Sequence, residues 1–273
     1  GIRARAGEDI EVAYAPGYRS YKMSWGKPGP LGPLDAASPS DPADPELLAE
    51  AVALAKDADM VIFFGGTNKS IETESSDRQN IDLPCGQNDL IKALYEANSN
   101  VVTVIISGGP CDLRVLDQYS PAIVQGWWNG MEGGKALAEV LFGDIAPSGK
   151  LPFTFPLKLE DSPAYAMGNF PDKNSGGDLF TLMYRLDATG LTREEIHEYI
   201  DNLPDPESRY TEGILVGYRW FDTKEVPVMY AFGHGLSYVD FGYGELKCKT
   251  RKDKISVDFA LTNEGSMEAD EVV

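Results

Sequence analysis

The stretch DMVIFFGGTNKSIETESSDRQNIDLP, residues 59–84, decides the fold. Its first six residues, 59–64, are almost continuously apolar, which is typical of a strand covered on both faces of a parallel sheet. The polar loop that follows would then leave the carboxyl edge of that sheet, where open α/β folds bind their ligands. The sequence therefore predicts a functional site in this loop.

Charged residues are concentrated in the loop. Two glutamates, Glu72 and Glu74, lie close to the neighbours Asp77 and Arg78. Carboxylates gathered at a sheet edge suggest acid/base chemistry. The alternative is a surface ion pair of Asp77, Arg78 and one glutamate that only shapes the loop, because exposed pairs contribute only about 0 to 1 kcal/mol. On the residues alone, both interpretations stay open.

Strand and helix signals alternate along the first half of the chain. Branched apolar residues predict strands at 9–14, 59–64, 101–106 and 122–126. Between them, helices are predicted to begin after Asp44, after Gly86 and near residue 134. Repeated βα units of this kind imply an α/β fold with a doubly wound, mostly parallel sheet.

Four further strings follow the loop in a fixed order. They are SGGPCDL (107–113), WWNGMEGGKALAEVLFGDIAPSGKLPFTFP (127–156), YTEGILVGYRWFD (210–222) and FGHGLSY (232–238). The series resembles the C-terminal α/β-sandwich domain of glycoside hydrolase family 3, as found in bacterial β-glucosidases and β-xylosidases. The resemblance assigns residues 1–238 to this domain, with an insertion at about 157–210. In residues 239–273 apolar and polar residues alternate, which predicts the first strands of a β-sandwich. Family members often carry a fibronectin type III-like domain at this point, so the resemblance implies that such a domain begins here.

The resemblance implies a retaining, exo-acting β-glycosidase, a β-glucosidase in the first instance, that acts on β-linked oligosaccharides. Its aspartate nucleophile is expected on a (β/α)8 barrel of the same polypeptide or of a companion chain, because the barrel motif is absent here. The acid/base glutamate is expected in the loop. The family's E-x-x-D-R spacing matches Glu74, Asp77 and Arg78, which makes Glu74 the first choice. Glu72 is the second, since other members place the glutamate further from the aspartate.

Asp77 and Arg78 are expected to have a structural role. A general acid must keep its proton near neutral pH, and an arginine paired with Glu74 would lower the pKa of that carboxyl. We therefore assign Arg78 to Asp77, as a pair that supports the loop. No metal and no cofactor is expected. The alternatives are a β-xylosidase of the same family and a non-catalytic carbohydrate-binding or scaffold module.

The proline- and glycine-rich segment 19–45 predicts a long surface loop. Within it, Trp25 and Tyr21 are candidates for a lip that stacks on sugar rings, although Trp25 also fits an anchor to the core. In the insertion, Thr192 and Glu195 predict a capping box at the start of an amphipathic helix.

Composition excludes several classes of partner. The net charge is −19 and no basic run exists, which argues against nucleic acid. No apolar stretch approaches the roughly 20 residues that span a bilayer, so no membrane is expected. The three cysteines, Cys85, Cys111 and Cys248, lack metal-ligand spacing and are expected to be buried free thiols. Both ends look cut, so a fragment is expected. The resemblance favours a periplasmic or secreted protein, and a homodimer is possible.

Overall fold

The computed structural model describes residues 1–20, 42–69, 71–72, 78, 80–170, 192–202 and 209–273. These residues form two compact units. One comprises residues 1–12, 130–154 and 231–273, and the other comprises residues 13–129 and 155–230. The predicted site loop belongs to the second unit.

The described helices are short to medium in length. In chain order they are α1 (Ile2–Ala6), α2 (Pro45–Asp57), α3 (Gln87–Ala97), α4 (Arg114–Tyr119), α5 (Gly133–Leu141), α6 (Pro163–Ala166), α7 (Arg193–Asp201) and α8 (Tyr218–Lys224). The strands are β1 (Val61–Gly66), β2 (Val101–Ile106), β3 (Ala122–Gln125), β4 (Phe155–Pro156), β5 (Val228–Tyr230), β6 (Phe241–Tyr243), β7 (Lys247–Arg251), β8 (Lys254–Asp258) and β9 (Leu261–Asn263).

A parallel sheet of order β1-β2-β3 is the framework of the second unit. Its central strand, β2, carries the fully buried Val104 and Ile105, as expected for a strand covered on both faces. The α/β class with a parallel sheet is therefore confirmed. The β4–β5 pair in the same unit is antiparallel.

The predicted strand at 9–14 is wrong, because these residues form no strand in the structure. Its apolar positions do not face a core: Ile10 is 50% exposed and Tyr14 is 74% exposed. Branched apolar residues alone therefore do not produce a strand at 9–14, since a strand also needs a neighbouring strand to pair with and a surface to cover.

The predicted helix starts around the sheet are confirmed. The Asp44 side chain accepts hydrogen bonds from the backbone N–H of Glu46 at 3.0 Å and of Leu47 at 3.3 Å, and Pro45 occupies the first helical position. These contacts satisfy donors that the helix itself leaves unpaired. Helix α3 begins after Gly86 and buries its apolar stripe in the core. Its far end lies at the amino edge of the sheet, where Asn98 donates to the carbonyl of Ala58 at 2.6 Å.

The first unit combines α1 and α5 with the C-terminal hairpins. Arg5 forms an ion pair with Asp144, and the Tyr238 hydroxyl donates to the carbonyl of Val140 at 2.8 Å. Strands β6 with β9 and β7 with β8 pair antiparallel. The assignment of these hairpins to a fibronectin type III-like domain, and a boundary at residue 238, stay predictions.

The insertion contains the amphipathic helix that its sequence predicts. Thr192 and Glu195 form both hydrogen bonds of the capping box at the start of α7. Ile196 is buried at 2% exposure, whereas Ile200, one turn further along the helix, is only half-buried. A single isoleucine thus anchors the described part of this helix.

We expect Ile196→Asp to lower the free energy of unfolding by about 3–5 kcal/mol, because it removes buried apolar contacts and puts a carboxylate in their place. Urea unfolding of the full-length protein measures the effect. The matched control is His197→Asp on the exposed face of the same helix, which should stay within about 0.5 kcal/mol. Equal stability of the two variants would show that α7 does not pack on the domain core.

Candidate active-site loop

The candidate loop leaves the carboxyl edge of the sheet between two adjacent strands. After β1 ends at Gly66, the backbone N–H of Thr67 still donates to the carbonyl of Ile106 at the end of β2, at 2.9 Å. Gly66 has φ of 120°, and a Cβ there would lie 2.1 Å from that carbonyl oxygen. Only glycine fits at this exit, because any side chain would collide with the neighbouring strand.

A buried glutamine fixes the point where the loop begins. The amide of Gln87, in the first turn of α3, accepts from the Gly66 N–H at 2.7 Å and donates to the Gly66 carbonyl at 2.8 Å. The Gln87 side chain is fully buried, so these bonds replace all the water it would otherwise bind. The end of β1 is therefore held on both backbone groups. The sequence analysis did not identify this residue.

The carboxylate of Glu72 joins the loop to the turn that follows β2. Its Oε2 accepts from the Thr67 hydroxyl at 2.7 Å and from the Gly108 N–H at 2.6 Å. Its Oε1 accepts from the Gly109 N–H at 3.2 Å and lies 3.2 Å from Nη2 of Arg78. We call these five residues the Glu72 cluster. Both charged side chains are largely buried, with 12% exposure for Glu72 and 17% for Arg78.

Arg78 extends the cluster further into the same turn. Its Nη2 donates to the Pro110 carbonyl at 2.7 Å, and its Nη1 lies 3.7 Å from Sγ of Cys111. The ion pair that the structure gives Arg78 is therefore with Glu72. We had assigned Arg78 to Asp77, which lies outside the described residues, so that pairing stays a prediction. The alternative that we left open, an ion pair of Arg78 with one glutamate of the loop, is present with Glu72.

Strand β3 contributes a side-chain hydrogen bond to the turn that follows β2. The side-chain amide of Gln125, at the end of β3, donates to the Ser107 hydroxyl at 3.0 Å, and that hydroxyl donates to the Gly109 carbonyl at 2.8 Å. Ser107 is fully buried. The carboxyl ends of all three parallel strands thus contribute to holding the two N–H groups that receive Glu72.

The geometry limits what Glu72 can do chemically. An ionised carboxylate offers about four lone-pair directions, and a protonated one must give up part of them. Three hydrogen-bond donors, the Thr67 hydroxyl and the N–H groups of Gly108 and Gly109, contact the two oxygens of Glu72, and the Arg78 guanidinium pairs with one of them. This residue is therefore better suited to anchor the loop than to transfer a proton.

Most of the other residues predicted for the site lie outside the part of the chain that the structure describes. They are Glu74, Asp77, Trp25 and Tyr21. One aromatic side chain that we had not singled out does lie beside the Glu72 cluster. Trp128 is 50% exposed, and its ring would be 3.5 Å from a Cβ placed on Gly108.

Two of the three cysteines are buried, as expected, and one is exposed. Cys85 and Cys111 are buried free thiols as predicted, whereas Cys248 is exposed because it lies on the open β7–β8 hairpin, which corrects our expectation for it. Burial raises the pKa of the Cys111 thiol.

Within the described ranges, no group of His, Cys, Asp and Glu side chains is arranged to bind a metal ion. In the same ranges no helix is long and apolar enough to cross a membrane.

Comparisons with known proteins agree with the geometry. Among curated relatives, a β-glucosidase of Bacteroides ovatus is 36% identical over 279 residues, covering 100% of this chain and 32% of the relative. The thermostable β-glucosidase B of Acetivibrio thermocellus is 31% identical over 277 residues, covering 100% of this chain and 30% of the relative. The chain thus spans about a third of the length of these relatives.

Solved structures give the same picture. The crystal structure of a Bifidobacterium adolescentis family 3 β-glucosidase matches with a TM-score of 0.68 and 34% identity, over 84% of this chain and 29% of that one. A Kluyveromyces marxianus β-glucosidase in complex with glucose matches with a TM-score of 0.65 and 33% identity, over 81% of this chain and 22% of that one. The sequence profile of the glycosyl hydrolase family 3 C-terminal domain matches residues 1–238. This match covers most of the chain, and the parallel α/β sheet agrees with it. The chain therefore belongs to glycosyl hydrolase family 3.

Proposed function

We propose that this chain supplies the acid/base loop of a retaining β-glucosidase, with Glu74 as the catalytic acid and base. The observation that carries the assignment is the position of the other loop glutamate. Glu72 accepts three hydrogen bonds and forms an ion pair with Arg78, so its carboxylate is engaged in holding the loop. Of the two glutamates, Glu74 is then the one left for catalysis, and it also matches the E-x-x-D-R spacing of the family.

The proposed reaction has two steps. Retaining glycosidases place two carboxyl groups about 5 to 5.5 Å apart across the glycosidic bond. In the first step, a nucleophilic aspartate attacks the anomeric carbon while Glu74 gives its proton to the leaving oxygen. In the second step, Glu74 takes a proton from water, which attacks the glycosyl-enzyme and releases the sugar with retained configuration.

The relatives support the proposed partner domain and substrate. They are β-glucosidases, and each is about three times as long as this chain, which leaves room for a (β/α)8 barrel that carries the nucleophile. A terminal β-linked glucoside is therefore the proposed substrate. The relatives named above give no support to the alternative of a β-xylosidase. Self-association into a homodimer stays a prediction.

The first test removes the proposed proton donor in the full-length protein. Glu74→Ala should nearly abolish hydrolysis of cellobiose, because a sugar alkoxide needs a proton to leave, and should slow attack on a nitrophenyl β-glucoside much less. Added azide should restore turnover of the aryl substrate and yield a β-glucosyl azide, since azide attacks the intermediate without needing a base. Steady-state kinetics and analysis of the product measure both effects.

Glu72→Ala is the matched control for this test. It should show no azide rescue, because the residue that takes the proton from water is still present. Rescue of Glu72→Ala alone would transfer the acid/base role to Glu72. Rescue of neither variant would place the proton donor outside this loop and would contradict the proposed function.

A second test concerns the division of the active site between domains. Residues 1–273 expressed alone should show no measurable hydrolysis of an aryl β-glucoside, because an acid without a nucleophile cannot form the glycosyl-enzyme. The full-length protein, assayed at the same molar concentration, is the reference. Turnover by residues 1–273 that survives further purification and disappears in their Glu74→Ala variant would show that this chain holds the complete catalytic machinery.

A further inference from the structure

An exposed tryptophan lies beside the Glu72 cluster at the carboxyl edge of the sheet. Trp128 comes shortly after the end of β3 and is 50% exposed. A Cβ built on Gly108 would lie 3.2 Å from Oε2 of Glu72 and 3.5 Å from the indole of Trp128. The indole and the carboxylate therefore approach the same glycine, one from the turn after β3 and the other from the loop after β1.

The indole lies with one of its faces over Gly108. Its atoms nearest to the Cβ position of that glycine are Cε2 at 3.5 Å and Cδ2 at 3.6 Å. These two atoms form the bond that the two rings of the indole share, so other ring atoms block any approach to them within the ring plane. The contact is therefore made by a face of the ring. Half of the Trp128 side chain stays exposed, which leaves the opposite face open.

The residues before Trp128 fix its position. Trp127 has φ of 54°, in the left-handed region that bulky residues rarely adopt. Such strain persists only where surrounding contacts impose it, and it is concentrated at functional sites. Here the Gly126 N–H donates to the carbonyl of Ile105 at 2.7 Å, and the Trp127 ring packs edge-to-face on the buried Phe155, with 6.1 Å between ring centroids. The chain is thus forced to present Trp128 at this edge.

The surroundings of Trp128 favour a small ligand over a covering protein domain. A surface that docks on another domain is expected to present a contiguous apolar patch. The exposed residues next to Trp128 in this unit are Gly108 and Asn129, and neither is apolar. A single aromatic face among glycine and polar groups matches a sugar, which offers apolar C–H bonds on its ring faces and hydroxyl groups at its rim. Open α/β sheets bind their ligands at this edge.

We propose that the open face of Trp128 is a stacking platform for a sugar ring of the substrate, beyond the glucose that is cleaved off. The inference rests on the proposed function, because it takes the chain to act on β-linked oligosaccharides of glucose. In a β-linked glucose unit every ring substituent is equatorial and the ring C–H bonds are axial, so both faces are flat and apolar. Trp128 is then a residue that selects for the leaving group.

Exposure decides which sugar of the substrate the platform takes. A binding pocket buries about 70–90% of a small ligand, and an exo-acting enzyme has to enclose the terminal sugar in such a pocket to recognise the end of a chain. A ring that is itself 50% exposed provides only one open surface. It is suited to the remainder of the oligosaccharide, which extends away from that pocket towards solvent.

The test compares variants of the full-length protein on two substrates that differ only beyond the cleaved glucose. The leaving group is methanol in methyl β-glucoside and cellobiose in cellotriose, so both leaving groups need a proton but only the second offers sugar rings to Trp128. We expect Trp128→Ala to lower kcat/KM for cellotriose about 3- to 10-fold and to change kcat/KM for methyl β-glucoside by less than about 2-fold. Steady-state kinetics measure both values.

Two further substitutions separate stacking from the filling of space. Trp128→Tyr keeps a flat aromatic face and should retain kcat/KM for cellotriose within about 2-fold, whereas Trp128→Leu keeps only an apolar side chain and should lose as much as Trp128→Ala. A leucine variant as active as the tyrosine variant would overturn the stacking role. The matched control is Tyr199→Ala, which removes an aromatic ring of similar exposure, 45%, from α7 and should leave both substrates unaffected.

Two other results with Trp128→Ala would also overturn the proposal. An unchanged kcat/KM for cellotriose would show that the ring contacts no sugar of the substrate. An equal loss for both substrates would show that Trp128 supports the fold or the pocket of the terminal sugar, and a lowered Tm in thermal unfolding would identify the first of these. Neither result affects the acid/base assignment, because azide rescue of Glu74→Ala is measured with an aryl glucoside that offers no second sugar.

Discussion

The carboxylate of Glu72 is the interaction on which the rest of the site depends. It reaches from the connection after β1 to the connection after β2 and occupies two backbone N–H groups that nothing else in the described cluster satisfies. Gly108 is exposed and Gly109 half-buried, so water would replace part of the lost contact, and the loss of each hydrogen bond to the charged group would cost at most about 1.5–3 kcal/mol. The parallel sheet makes the contact possible because adjacent strands end at the same edge.

Much of the second unit was predictable from the sequence, because its signals are local. The helix start at Asp44 depends on neighbouring residues only, and so does the capping box of Thr192 and Glu195. The apolar run marks the strand, but β1 occupies Val61–Gly66, two residues later than the predicted 59–64, and its Phe64 is 42% exposed, so β1 is not covered on both faces throughout. The strand predicted at 9–14 did not form, since strand formation is decided by a pairing partner, and the local alternation of Ile10 and Tyr14 carries no information about one.

The site was only partly predictable for the same reason. The loop and its two glutamates are visible in the sequence, and the family spacing separates them in rank. The partner of Arg78 was left open, because the sequence offers both the adjacent Asp77 and the more distant glutamates, and only the structure shows the ion pair with Glu72. Gln87 was missed because a single glutamine at a helix start has no distinguishing pattern. Gly108 and Gly109 were the one sequence signal for the contact with Glu72, since consecutive backbone N–H groups at a strand end can bind an anion.

The proposed active site is divided between two domains. This division explains why it is useful that Gly66 and Glu72 are fixed to the sheet. If the nucleophile lies on a barrel and Glu74 on this loop, the distance between the two carboxyl groups depends on domain placement and on loop position together. A retaining mechanism tolerates little variation around about 5 to 5.5 Å. A surface loop is ordinarily more mobile than the strands that it connects. Gln87 fixes Gly66, and the turn after β2 fixes Glu72, so the described part of the loop is attached to two neighbouring strand ends of the sheet.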